Sequence, residues 1–226
     1  LPALASSPSA NSPAGPRRGC SFNSANTLHN IAMYRQRHKL AHACIFFVEN
    51  CAEVGRMKLY KLLYDLDFSA QHKFGRSVTG LKYFAWEKGP VPQKLDAEWK
   101  SGFQDVLAEA LRPQAKGRIY DFEVENPKVY PSYKLEPRVP FDEGLFSADE
   151  LALMADVTRK HFNDSGLDMS HWSHDETGFW HHIYTTLGQP GQEIPLDLVF
   201  ERQNTPRDQQ MKEYAHEKEI ERQLSD

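Results

Sequence analysis

No apolar run in the chain approaches the ~20 residues that a membrane-spanning helix needs. The longest apolar cluster, residues 43–48, is a short core patch, which excludes an integral membrane protein built on spanning helices. The chain also lacks an excess of basic charge. Its 27 Lys and Arg residues are interspersed with 31 Asp and Glu, for a net charge of −4. A general nucleic-acid binder is usually basic, with its cations gathered on one face, so holding DNA or RNA is not the expected task. Cysteine is scarce. Cys20, Cys44 and Cys51 are odd in number and without close pairing, which argues against a disulfide framework and for small core residues of a reduced, cytoplasmic protein. Nucleophile and phosphate signatures are missing too: there is no GxSxG, no P-loop and no GxGxxG.

What is present suits one globular domain with appendages or two small ones. The 226 residues are 40% hydrophobic and 12% aromatic, too rich in core-formers for general disorder. Residues 1–26 begin with a Ser-, Pro- and Ala-rich stretch without the apolar core of a signal peptide and are read as a disordered extension. From Tyr34 to Cys51, Leu40, Cys44, Phe47, Val48 and Cys51 recur at helical spacing. Met57 to Phe74 is apolar nearly all round, which predicts a central helix packed on several sides, with Gly75 at its C′ position. Tyr83–Trp86 is too short to assign, and the following Glu-Lys-Gly-Pro-Val-Pro is punctuation. A single helix is expected from about Pro92 to Leu111, ended by Pro113.

Alternation over Arg118–Glu125 predicts a strand, and Tyr133–Val139 a returning edge strand. Ser147 and Glu150 form a capping box that opens an amphipathic helix. Ser173 and Glu176 read as a second box, opening a helix through Phe179, Trp180, Ile183 and Tyr184. Thr205-Pro206 starts a last, mostly charged helix. The expected fold is mainly α: a compact helical domain over residues 27–200 with a small β-hairpin, then a charged C-terminal helix or tail over 201–226.

Three groups of residues compete for a functional role. His171, His174, His181 and His182, with Asp175 and Glu176, crowd into one stretch, but no metal-site spacing such as HExxH appears. Structural or surface histidines are the plainer reading; the alternative is a metal-dependent enzyme built on His171 and His174. Asp65 and Asp67 on the apolar helix suggest a general acid, against ion pairs with Lys58, Lys61 or Lys73. Tyr83, Phe84, Trp86, Pro90 and Pro92 form an aromatic–proline cluster on a stiff backbone, which suits protein recognition; the alternative is core and turn.

The order of motifs is more specific than any one of them. Residues 57–64 (MKLYKLLY) precede Gly75–Gly80, then Ala85-Trp86-Glu87-Lys88-Gly89-Pro90-Val91-Pro92, then Ser173-His174 and Trp180. This series, across roughly Arg35–Phe200, resembles the Panacea domain of SocA-like antitoxins, a bacterial and phage-associated family. The resemblance implies a mainly helical domain with no intrinsic catalysis and no cofactor. It implies a cognate toxin as partner, neutralised by direct binding. In one branch of the family the antitoxin also hands its toxin to an AAA+ protease, and the two unmatched ends would serve that adaptor role. The family's motif positions fall on Lys58, Lys61, Leu62, Tyr64, Thr79, Gly80, Trp86, Gly89, Pro90, Val91, His174 and Trp180. With Tyr83 and Pro92 added from the aromatic–proline cluster, the expected partner-binding set is Lys58, Lys61, Tyr64, Tyr83, Trp86, Pro90, Val91, Pro92, His174 and Trp180.

Overall fold

A computed structural model describes residues 24–121, 128–201 and 205–224. The extension expected over 1–26 lies outside the described residues except for its last three, which open the first helix. That helix, α1 (Ser24–Asn50), sets Leu40, Cys44 and Phe47 into the core, with Val48 at its edge. Cys51 follows α1 directly; both it and Cys44 are buried free thiols, and burial pushes Cys44 up to about 12. Cys20 lies outside the described residues.

The centre of the molecule is α2 (Arg56–Phe74). Its leucines at 59, 62, 63 and 66 are fully buried, each contributing roughly 2 kcal/mol of apolar burial. A helix apolar on every side must be covered on every side, and the rest of the chain wraps it. The helices α5 (Ala148–His161), α6 (Gly166–Ser173), α8 (Leu198–Glu201) and α9 (Pro206–Leu224), together with α1, all touch it. Gly75 closes α2 in a left-handed conformation, and Tyr214 of α9 packs against that turn. The charged last helix therefore lies on the body over its first half, tied by Asp208 to His72.

The β structure is larger than the one hairpin expected. β1 (Tyr83–Trp86) pairs antiparallel with β2 (Gly89–Pro92) on one side and β5 (Glu193–Ile194) on the other. A separate ribbon joins β3 (Leu111–Asp121) to β4 (Lys128–Pro137). The tip of that predicted hairpin, residues 122–127, lies outside the described residues.

Three expectations are corrected. The helix expected from Pro92 to Leu111 is two, α3 (Gln93–Ser101) and α4 (Asp105–Ala110). Gly102 takes φ +97 between them, a conformation open to glycine and costly for other residues. Pro113 does not end a helix but sits within β3 opposite Leu135; a two-stranded ribbon has free edges where a missing N–H costs no ladder bond. Finally, Ser173 ends α6 instead of capping a new helix, and its hydroxyl donates to Ser170 O at 2.9 Å. The capping box of this region is Ser165 with Asp168. The next helix, α7 (Phe179–His181), starts after Gly178 and continues into a π-helical turn, His182–Thr186. The box at Ser147 and Glu150 forms as expected.

Candidate functional site: a hairpin seated on a buried lysine

The β1–β2 hairpin turns through Glu87 and Lys88, both exposed. Its strands are short and carry two prolines, so its own ladder is a weak constraint. Side chains from α2, α6 and α7 hold it instead. Lys61 of α2, at 0% exposure, donates through Nζ to Lys88 O at 2.8 Å and Pro90 O at 3.1 Å. Ser170 of α6 donates to the same Lys88 carbonyl. Loss of hydration on burial brings the Lys61 amine down to about 7. Gly89, at φ +96, completes the fit: a Cβ there would lie 2.6 Å from Ser173 Oγ and 2.9 Å from Lys61 Nζ.

The other arm of the hairpin is fixed by Trp180. Its indole N–H donates to Trp86 O at 2.8 Å. The ring is stacked between His174, 3.9 Å between centroids, and Tyr184, 4.6 Å. Burial, followed by the positive field of Lys61, His171 and His181, lowers His174 to about 4. The imidazole is therefore a neutral stacking partner at physiological pH. Tyr83 directs its hydroxyl to Asp67 Oδ2 at 2.7 Å. Asp67 also accepts from the backbone N–H groups of Val78 and Thr79 and from the Thr79 hydroxyl. That carboxylate, on the core helix, thus ties the Val78–Gly80 turn to β1. Tyr64 packs on Phe68, Tyr83 and Trp172.

Of the ten expected partner-binding residues, the structure brings nine together here: Lys61, Tyr64, Tyr83, Trp86, Pro90, Val91, Pro92, His174 and Trp180. All but Trp86 and His174 are buried. Trp86 is half-buried, with the Lys100 ammonium 5.4 Å from its ring centroid. Lys58 lies elsewhere. Its Nζ donates to Ala52 O at 2.8 Å and Phe162 O at 2.9 Å, tying the α1–α2 connection to the end of α5. Ser170 and Asp67 belong to the hairpin's support as well. Sequence reading placed Asp67 among candidate acids and gave Ser170 no part.

Asp65, the other candidate acid, does not pair with Lys58, Lys61 or Lys73. It accepts from Lys160 Nζ at 2.9 Å and meets His161 Nε2 at 3.0 Å. Burial alone would raise its pKa, but the hydrogen bonds from His161 and Lys160 hold it below the usual carboxylate range. Among the described residues no group of three His, Cys, Asp or Glu side chains is placed to hold a metal ion. None of the described helices is long and apolar enough to cross a membrane. The result is a turn whose backbone carbonyls are held from within by Lys61, Ser170 and Trp180, with Trp86 half-buried and Glu87 and Lys88 exposed.

Residues 59–181, more than half of the chain, match the family model described as "Antitoxin SocA-like, Panacea domain". The match covers α2 from Leu59 on, the hairpin, α3, α4, the β3–β4 ribbon, α5, α6 and α7. No curated protein and no solved structure matches the chain.

Proposed function

The chain belongs to the SocA-like antitoxin family, whose mark is the Panacea domain, and on that premise we propose that it neutralises a co-encoded toxin by binding it directly through the hairpin face. The family match is the observation that carries this reading. The hairpin's geometry supports it physically. A turn fixed by Lys61, Ser170 and Trp180 loses little conformational entropy on docking, and preorganisation of this kind raises affinity. Trp86, Glu87 and Lys88, with the exposed edge of His174, meet the toxin. Lys61, Tyr64, Tyr83, Pro90, Val91, Pro92 and Trp180 position that contact from below. Lys58 acts at a distance by fixing the end of α2. Neutralisation is by occlusion and needs no covalent step; a standard interface covers about 1,600 Å² in total.

The test is a growth assay. Each reading frame flanking the gene is induced alone and together with this chain. Arrest by one neighbour, relieved by co-expression, is the expected result. Absence of any toxic neighbour overturns the reading. Trp86→Ala tests the interface separately. The variant is expected to keep the native melting temperature within a few degrees and to lose most of its rescue. A Trp86→Ala chain that folds and rescues fully removes the hairpin from the interface.

A further inference from the structure

A second face of the molecule carries a groove lined by none of the hairpin-tip residues. The N-terminal half of α1, the turn at Thr79–Leu81 and the α3–α4 corner enclose a groove of about 560 Å³. Its floor is apolar, with Leu40, Leu81 and Val106 buried beneath it. On its rim stand Tyr34 at 62% exposure and Met33 at 56%, the two most exposed large apolar side chains among the described residues. Single exposed apolar residues need no explanation; here two adjacent ones stand beside an apolar hollow.

The walls are firm. Gln36 Nε2 donates to Val78 O at 2.7 Å, and Arg37 pairs with Glu98 across the groove from α1 to α3. The rim's other two charges are unmatched. Lys94, in the first turn of α3, and Asp105, the first residue of α4, have no ion-pair partner among the described residues. Asp105 is moreover held at φ +53, an uncommon backbone state for a residue with a side chain.

We propose that the occupant of this groove is a second copy of the same chain, in a two-fold symmetric dimer. A symmetric interface requires one patch to complement itself: whatever residue i of one copy touches in residue j of the other, j must touch in return. This patch carries both halves of such a match, protruding Met33 and Tyr34 beside a hollow of apolar floor. It also carries a cation, Lys94, and an anion, Asp105, that have no ion-pair partner among the described residues. A two-fold axis sets Lys94 of each copy against Asp105 of the other and neutralises both.

Sedimentation of the full chain across the micromolar range tests the proposal, with circular dichroism and melting as checks on the fold. The wild type is expected to be dimeric. Tyr34→Asp and the milder Tyr34→Ala are expected to shift it to monomer. Lys94→Glu and Asp105→Lys are each expected to weaken self-association at least about tenfold, because each places two like charges together twice. Mixing those two folded variants restores both opposite-charge contacts and is expected to recover a dimer of one copy of each. A monomeric wild type overturns the proposal. So does a dimer that both charge variants leave unchanged, or a mixture that fails to recover. If the wild type is monomeric and Tyr34→Ala abolishes toxin binding, the groove belongs to the toxin and the dimer is refuted. Because sedimentation needs no toxin, failure here leaves the neutralisation reading standing, and the reverse holds equally.

Discussion

Lys61 is where residue chemistry and fold meet most tightly. A lysine at full burial is expensive unless its protons are used, and here they hold two carbonyls of the hairpin. The same burial makes stability depend on pH. The unfolded chain keeps the Lys61 proton up to about 10.5, while the folded chain releases it near 7. Between those values the unfolded state binds more protons, so stability rises with pH. Urea unfolding at pH 7 and pH 8.5 is expected to show that rise, and Lys61→Met is expected to reduce it; Lys58, also lowered by burial, acts in the same direction. An equal rise in the variant would mean that Lys61 is hydrated. Sequence reading found Lys61 only through its place in a motif. Helical spacing made it a candidate partner for neighbouring carboxylates, because spacing along one helix is blind to the carbonyls of a hairpin folded over it. Asp65 was misread for the same reason: its partners, Lys160 and His161, come from α5.

At the scale of elements, local signals with one mechanism were legible. The Ser147 box, the Gly75 stop and the proline-led start of α9 all formed where the chain chemistry put them. Signals that depend on neighbours were not. Ser173 has the spacing of a cap, yet α6 already occupies it, and the working cap at Ser165 uses Asp168 where the usual pattern has Glu or Gln. Gly102 was visible and marks the α3–α4 break, but the apolar stripe running across it favoured one helix. The two-proline strand β2 was hidden because prolines argue against strands; it lies at the sheet edge, where they are tolerated. The hairpin itself is testable at Gly89. Gly89→Ala combines a left-handed backbone with a Cβ 2.6 Å from Ser173 Oγ, and a loss of about 2–3 kcal/mol is expected in chemical denaturation. Adding Ser173→Ala is expected to return part of it. No loss on Gly89→Ala would mean that the turn is not pressed against α6.

For the molecule as a whole, the mainly helical class and the central place of α2 were both readable, because an all-round apolar helix has only one place to go. The family was readable as well, through the order of its motifs. What the motifs do physically was not. Most are interior: seven of the nine residues gathered at the hairpin are buried, and only Trp86 and His174 reach the surface. A signature of buried residues preserves a shape, and the shape is what a partner meets. The central claim is thus that this preformed face binds the toxin directly. Calorimetric titration of the purified chain with the toxin identified by the growth assay tests it most directly. The account predicts a saturable complex of nanomolar affinity, weakened at least about tenfold by the folded Trp86→Ala variant. Rescue of growth without any measurable binding between the two purified proteins would contradict it.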